Sequence, residues 1–305
     1  MDSNPEISQD RPAAVVRALS SKKEWAPQTP SGLTIDLNSP LGAGDFAITY
    51  QGKLKGKKVV VKMLFPRGNT VLAYGDNLIA DQFKIEAEIL MKNTHPNLAL
   101  AYATTEIPLT STKKFPALVR EFLPVTATEH IATLPSSDRL PQVAAMVTQI
   151  ASALDYLRET EQVINTDISP AQIWRRDDGS YALSDLGMTV STVTQHGLVG
   201  TNEVYSPPEL NTFTWTQAGQ IEVANPQAQV YSLAAVAYQA LGGRLPDYND
   251  FQNGASLDPN SIPNAPSELV TIFQKALAKE SKDRYQNPTQ FAQRLKSVLE
   301  PETIG

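Results

Sequence analysis

The sequence predicts an α+β fold in which a β-rich first part, residues 32–120, precedes a longer α-helical part, residues 125–300. Two observations support this division. Short runs of β-branched and aromatic residues at 48–50 and 59–61 alternate with glycines, which is typical of strands joined by tight turns. After Pro124 the apolar residues recur at helical spacing instead.

The first part is expected to hold strands, a long loop, one helix and a further strand. The loop after Pro66, about fifteen residues rich in Gly, Asn and Asp, is longer than most loops. After the loop, four residues recur at helical spacing and predict the helix: Ile79, Phe83, Glu86 and Leu90. A strand is predicted at 116–119.

The second part shows several helices and one short strand at 181–183. The clearest amphipathic stripe consists of Val143, Val147, Ile150, Ala151, Leu154 and Leu157. Residues 230–241 are apolar almost all round, which predicts a buried central helix, and a further stripe spans 269–277. The last helix is expected to begin with Asn287 as its N-cap and a proline in its first turn.

Three segments lie outside these two parts. Residues 1–31 lack apolar periodicity and are predicted to form a flexible N-terminal arm. Residues 121–124 are expected to form a hinge, and residues 301–305 a tail.

Composition excludes several kinds of protein. The chain has 305 residues, a formal net charge of −6 and no cysteine. The negative charge argues against nucleic acid or an anionic membrane as the main partner. The absence of cysteine excludes a disulfide framework and any thiolate metal site. No run approaches the ~20 apolar residues of a membrane span, so we expect a cytoplasmic protein without one.

Short motifs in the first part carry the first functional signal. Residues 41–46 read Leu-Gly-Ala-Gly-Asp-Phe and include Gly42 and Gly44, which would let backbone amides approach phosphate oxygens closely, although a hairpin turn uses the same residues. Lys62 follows Val60 and Val61 on the next predicted strand. Taken alone, a lysine on a strand is usually a surface charge at the edge of a sheet. Glu86 stands nine residues before a His-Pro-Asn sequence, and Glu88 is the other candidate, about 200° round the helix.

Further motifs follow in the second part. Residues 165–173 contain Asp167, and Ser-Asp-Leu-Gly follows with Asp185. Gly200-Thr201 and a Pro-Pro-Glu sequence ending at Glu209 come next. The remaining motifs are Gln229-Val-Tyr-Ser-Leu, Gly243-Arg-Leu-Pro and Lys-Asp-Arg284-Tyr.

In order and spacing these motifs resemble the eukaryotic-type protein kinase family, in its bacterial Ser/Thr form, over residues 33–299. The resemblance implies ATP and Mg²⁺ as cofactors and a protein substrate or partner. It implies catalytic roles for Lys62, Glu86 and Asp167. It implies nucleotide binding by Gly42, Gly44, Val60, Lys62, Glu121, Leu123 and Trp174. It implies metal binding by Asp185 and Gln172, and a structural ion pair between Glu209 and Arg284.

Several residues depart from the family pattern in the catalytic loop and the central helix. Gln172 stands where the family has asparagine, Ser169 where it has lysine, and Gln229 where it has aspartate. Asn165 and Thr166 replace histidine and arginine. Losing a cation aimed at transition-state charge costs ~2–4 kcal/mol, or ~30- to 1000-fold in rate.

The nucleotide slot also departs from the pattern. Trp174 replaces a smaller residue under the adenine, Val60 replaces alanine above it, and Arg120 occupies the gatekeeper position. Added volume is costly in a slot that must admit a flat ring. Asp45 adds a negative charge near the phosphates.

Two function classes follow from these residues. The departures favour a pseudokinase or very weak kinase that acts through binding or scaffolding. The presence of Lys62, Glu86, Asp167 and Asp185 supports the alternative, an active Ser/Thr protein kinase. Small-molecule phosphotransferases of related fold fit less well, because Glu209 and Arg284 belong to the protein kinase pattern.

Overall fold

The computed structural model describes residues 14, 15, 17–19, 28–92, 95–108, 114–194, 197–199, 204–211, 224–244, 262 and 265–299. The chain forms two compact units. The first comprises the residues before His95 together with Ala99–Phe122, and the second comprises His95–Leu98 together with the residues from Leu123 onward. The boundary after Phe122 lies inside the range for which the sequence predicts a hinge.

The first unit contains an antiparallel five-stranded sheet of order β1-β2-β3-β5-β4. Its strands are β1 (Leu33–Ala43), β2 (Ala47–Leu54), β3 (Lys57–Leu64), β4 (Ala101–Pro108) and β5 (Lys114–Glu121). Alternate residues of β3, namely Val59, Val61 and Met63, are buried in one hydrophobic cluster. These three side chains share one face because successive side chains of a strand point to opposite faces of the sheet. Lys62 and Leu64, which alternate with them, are buried as well.

Two helices, α1 (Gly68–Tyr74) and α2 (Asp76–Lys92), connect β3 to β4. The prediction of a long loop after Pro66 is wrong, because seven of its residues form α1. Gly68 and Asn69 are weak helix formers, so local propensity favours a loop here. Burial of Thr70 and Val71 provides the packing that local propensity lacks.

The second unit is mainly helical and carries two small sheets, which confirms the α+β prediction. Its described helices are α3 (Ala127–Ala132), α4 (Ser136–Glu159), α5 (Pro208–Asn211), α6 (Pro226–Ala240), α7 (Ser267–Ala276) and α8 (Pro288–Ser297). One sheet pairs β6 (Val125–Thr126), β8 (Ile173–Arg175) and β9 (Tyr181–Leu183); the other pairs β7 (Val163–Asn165) with β10 (Thr189–Ser191).

The predicted helices of this unit agree with the structure. The apolar stripe of α4 is buried, and α6 is buried on nearly all sides, as expected of a central helix. Asn287 caps α8, since its side chain accepts a hydrogen bond from the Gln290 amide at 2.9 Å.

The N-terminal arm differs from its prediction at the residues that the structure describes. Residues 14, 15 and 17–19 are helical, and Val15 and Leu19 are buried. The Thr29 hydroxyl lies 2.7 Å from the Thr105 hydroxyl on β4. Val15 and Leu19 stand four positions apart and so lie on one helical face, an apolar spacing that the sequence prediction of an arm without periodicity overlooked.

Some predicted features lie outside the described residues. These are most of the N-terminal arm (residues 1–13, 16 and 20–27), Gly200-Thr201, Leu245-Pro246 and the tail at 301–305. Within the described part of the chain, no helix is both long enough and apolar enough to cross a membrane.

A capping box begins α3 and gives a first testable prediction. The Thr126 hydroxyl accepts from the Glu129 amide at 3.2 Å, and the Glu129 carboxylate accepts from the Thr126 amide at 3.0 Å. Thr126→Ala should lower the free energy of unfolding of the second unit by ~1 kcal/mol, the usual loss for an N-cap. Chemical denaturation measures this, with Thr271→Ala, the same change at an exposed threonine of α7, as the control. Equal midpoints for the two variants would show that the cap contributes nothing.

Acid should weaken the same cap. The side-chain and backbone hydrogen bonds from Thr126 hold the pKa of Glu129 below its usual value. A depressed carboxyl pKa adds stability that is present above the unfolded pKa and is lost as the pH falls through the folded one. The difference between Thr126→Ala and the wild type should therefore shrink below about pH 4.

Candidate active site

The glycine-rich motif lies in the first unit, at the turn between β1 and β2. Gly42 pairs with Thr49 across the two strands, and the Thr49 hydroxyl donates to the Gly42 carbonyl at 3.1 Å. The Gly44 amide donates to the Ala47 carbonyl at 2.9 Å and closes the turn. The motif is thus a strand-connecting turn, which agrees with both the hairpin and the phosphate-loop readings.

Lys62 and Glu86 form a buried ion pair in the first unit. The Lys62 Nζ atom lies 2.9 and 2.8 Å from the two carboxylate oxygens of Glu86. Lys62 projects from β3, and Glu86 projects from α2 with 1% of its surface exposed. Glu88, by contrast, has 54% of its side chain exposed and pairs with Lys84. The structure therefore selects Glu86 as the partner, as the spacing to His95 predicts.

The other first-unit residues of the predicted site lie on β3 and β5. Val60 is half-buried and pairs with Arg120, which is itself buried. The Glu121 carboxylate accepts a hydrogen bond from the Leu100 amide at 2.8 Å, and the Glu121 amide donates to the Leu100 carbonyl at 2.8 Å. Glu121 thereby fixes the end of β5 against the segment before β4.

Asp167 lies in the second unit, in the loop between β7 and β8. Its carboxylate accepts a hydrogen bond from the Gln172 amide nitrogen at 3.0 Å. The Gln172 amide oxygen in turn accepts from the Ser169 hydroxyl. A 3₁₀ turn at Pro170–Gln172 brings these side chains together. Both ends of the Gln172 amide are therefore engaged by other residues of the same loop.

Asn165 joins this loop to the segment that carries Asp185. Its side-chain oxygen accepts from the Asp167 amide at 3.0 Å, and its side-chain nitrogen donates to the Asp185 carbonyl at 3.1 Å. Its backbone carbonyl accepts from the Gln229 amide nitrogen on α6 at 3.1 Å. Asn165 is buried, so these bonds are shielded from water and hold the two segments in register.

Sequence reasoning noted Asn165 and Gln229 only as departures from a family pattern. The structure shows that both take part in the hydrogen-bond network of the loop. An amide side chain can donate and accept hydrogen bonds at once, so an Asn or Gln in such a loop is a signal for a side chain that bridges two backbone segments. The Gln229 side-chain oxygen has no hydrogen-bond partner among the described residues.

Asp185 is half-buried and shapes the turn that follows it. Its carboxylate accepts a hydrogen bond from the Gly187 amide at 2.8 Å. A carboxylate with further lone pairs fits the oxygen-ligand preference of Mg²⁺. The amide oxygen of Gln172 fits a metal less well, because the Ser169 hydroxyl already donates to it.

Trp174 and Leu123 are the second-unit residues of the predicted adenine slot. Trp174 is half-buried on β8, and its indole nitrogen donates to the Ala171 carbonyl at 2.9 Å. Leu123 is buried. The indole is thus fixed against the 3₁₀ turn that also positions Gln172.

The predicted ion pair between Glu209 and Arg284 is present in the second unit. The two carboxylate oxygens of Glu209 lie 2.6 and 2.8 Å from the two terminal nitrogens of Arg284. Arg284 also donates to three backbone carbonyls, those of Gln227, Ala278 and Lys279. Its side chain is 0% exposed. The pair connects α5 to the loop before α8.

Comparison with known proteins agrees with the motifs. The family model for the protein kinase domain matches residues 35–301. The chain is 24% identical over 256 residues to the "Probable serine/threonine-protein kinase PknB" of Bifidobacterium longum, which covers 77% of this chain and 35% of the relative. It is 31% identical over 173 residues to the serine/threonine-protein kinase PknF of Mycobacterium tuberculosis, which covers 51% of this chain and 34% of the relative.

The aligned region thus spans about a third of each of these bacterial relatives. A family model that matches most of the chain agrees with the bidentate Lys62–Glu86 and Glu209–Arg284 pairs. On these grounds the chain belongs to the protein kinase domain family.

Proposed function

We propose that this chain is a pseudokinase or very weak kinase that acts mainly by binding a protein partner. The observation that carries the proposal is the engagement of the Gln172 side chain by Ser169 and Asp167. In the family pattern a shorter asparagine at this position binds the second Mg²⁺, and a lysine in place of Ser169 steadies the γ-phosphate.

The hydrogen bonds of Gln172 disfavour metal binding. Its amide oxygen is the one atom of the side chain that could bind Mg²⁺, and it accepts the Ser169 proton instead. A metal at this oxygen would need the hydroxyl to move away. Mg²⁺ demands near-ideal octahedral geometry and gives up water reluctantly, so a ligand that must first be released is a poor one.

Ser169 marks a second loss, that of the cation which the family places at this position. A neutral hydroxyl stands where the family places a cation, and it is turned toward Gln172. Phosphoryl transfer depends on positioning and on neutralising the charge of the transferred group. Without a cation at this position, the negative charge of the transition state is less well neutralised, and phosphate transfer is expected to be ~30- to 1000-fold slower than in a typical kinase.

A specific observation favours the alternative, an active Ser/Thr protein kinase. Lys62 and Glu86 retain their bidentate pair, and Asp167 and Asp185 are both present and half-buried. In the family pattern, a pair like Lys62–Glu86 holds the phosphates, and aspartates like Asp185 and Asp167 hold Mg²⁺ and orient a substrate hydroxyl. We therefore propose weak binding of Mg·ATP rather than its complete absence.

Titration of the purified chain with Mg·ATP, followed by intact-mass detection of transferred phosphate, tests the proposal. We expect weak binding and transfer well below the ~1–100 s⁻¹ of typical kinases. Asp185→Asn is the matched control, because it keeps the acceptor for the Gly187 amide while removing the negative charge. Wild-type turnover in the typical range that disappears in Asp185→Asn would overturn the proposal and support the active enzyme.

A further inference from the structure

The tip of the glycine-rich loop, residues 44–46, is attached to the segment that runs from the end of β3 through α1. The Phe65 amide donates to the Phe46 carbonyl at 3.0 Å, and the Arg67 amide donates to the Asp45 carbonyl at 2.8 Å. These bonds extend the β2–β3 ladder beyond the Ala47–Leu64 pair. The loop tip is therefore fixed on one side by main-chain hydrogen bonds.

Two side-chain contacts reinforce this attachment. The Arg67 guanidinium lies 3.3 Å from the Asp45 carboxylate, and the Phe46 and Tyr74 rings lie 5.7 Å apart between centroids. Burial, followed by the negative charge of Asp45, raises the pKa of the Tyr74 hydroxyl. Both contacts connect the loop tip to the α1 segment, which Thr70 and Val71 anchor by their burial.

The charge of Asp45 is what gives this attachment a functional consequence. A carboxylate at the tip of a phosphate-covering loop would repel a nucleotide triphosphate. Arg67 neutralises it locally, and the main-chain bond between the same two residues keeps the guanidinium near it. Arg67 and Asp45 are 59% and 60% exposed, so the effect is moderate and sensitive to salt.

We propose that Arg67 is a positioning residue for the phosphate-binding loop, acting with Tyr74 to hold the loop tip and to cancel the charge of Asp45. This inference rests on the proposed nucleotide binding. It assigns a role to the α1 segment and resolves the conflict between a glycine-rich phosphate loop and an acidic residue at its tip.

The charge role is tested by comparing Mg·ATP with adenosine, which has no phosphate. Arg67→Gln should weaken Mg·ATP binding about two- to fivefold at low salt, the range expected for an exposed ion pair, and leave adenosine binding unchanged. High salt should remove the difference. Adding Asp45→Asn to Arg67→Gln should restore the wild-type affinity. Leu72→Ala is the matched control, since Leu72 lies on α1 with 66% of its surface exposed.

A second measurement needs no nucleotide. Hydrogen exchange of amides 42–47 and 65–67 should be faster in Arg67→Gln and in Tyr74→Ala than in the wild type, and unchanged in Leu72→Ala. If the wild type fails to bind Mg·ATP, the proposed nucleotide binding is wrong, and the exchange result alone supports or refutes the attachment. Unchanged exchange in both variants, or equal weakening of Mg·ATP and adenosine in Arg67→Gln, would overturn the inference.

Discussion

Arg284→Ala should destabilise the second unit by ~3–5 kcal/mol, the usual cost of removing one partner of a buried ion pair. For a unit of this size that corresponds to a fall in melting temperature of roughly 6–20 °C. The loss is large because the guanidinium satisfies a carboxylate and three backbone carbonyls at once. Alanine leaves those part-buried acceptors without their donor, which adds to the cost.

Two further variants isolate the cause. Arg284→Lys keeps the charge but loses the planar fork that reaches both Glu209 oxygens, so its melting temperature should fall between those of wild type and alanine. Arg294→Ala removes an arginine from an exposed pair with Glu268, whose atoms are 3.9 Å apart, and should cost at most ~1 kcal/mol. Equal melting temperatures for Arg284→Ala and Arg294→Ala would contradict the structural role of Arg284.

Restoring the loop chemistry should raise phosphate transfer. The double variant Ser169→Lys/Gln172→Asn returns the cation and the shorter amide, and it removes the hydrogen bond that engages the Gln172 oxygen. We expect autophosphorylation to increase at least ~10-fold over the wild type, a modest part of the ~2–4 kcal/mol attributed to the missing cation. Intact-mass measurement over time gives the rate.

Gln229 is kept in this design because of its hydrogen bond. The sequence alone suggests restoring the family's aspartate there, but the Gln229 amide donates to the Asn165 carbonyl. An aspartate cannot donate to that carbonyl, so its carboxylate would face another acceptor. Its negative charge would also be buried at this position, which is costly. Gln229→Asp added to the double variant should therefore lower stability and reduce the gain in rate.

Asp185→Asn in the double-variant background is the control for metal-dependent transfer and should abolish the gain. If Trp174 obstructs the adenine, the double variant will gain nothing until Trp174→Leu is added. No gain in the double variant, with or without Trp174→Leu, would show that the departures in the loop do not limit the rate of phosphate transfer.

Much of the fold was predictable because its signals are local. The stripe in α4, the apolar α6 and the Asn287 cap each lie within one element, where periodicity and capping chemistry decide the structure. The α1 segment was not predictable in this way, because Gly68 and Asn69 favour a loop and only the burial of Thr70 and Val71 stabilises the helix.

The sequence by itself determined the family pattern and, through motif order and spacing, the expected pairs Lys62–Glu86 and Glu209–Arg284; the structure then excluded Glu88 as the partner of Lys62. Tertiary structure alone decided how the departures are accommodated. Asn165 forms hydrogen bonds to residues 20 and 64 positions away, and the Asp45 carboxylate pairs with an arginine 22 positions later. Contacts between residues so far apart in the chain depend on how the elements pack, and no local pattern encodes them.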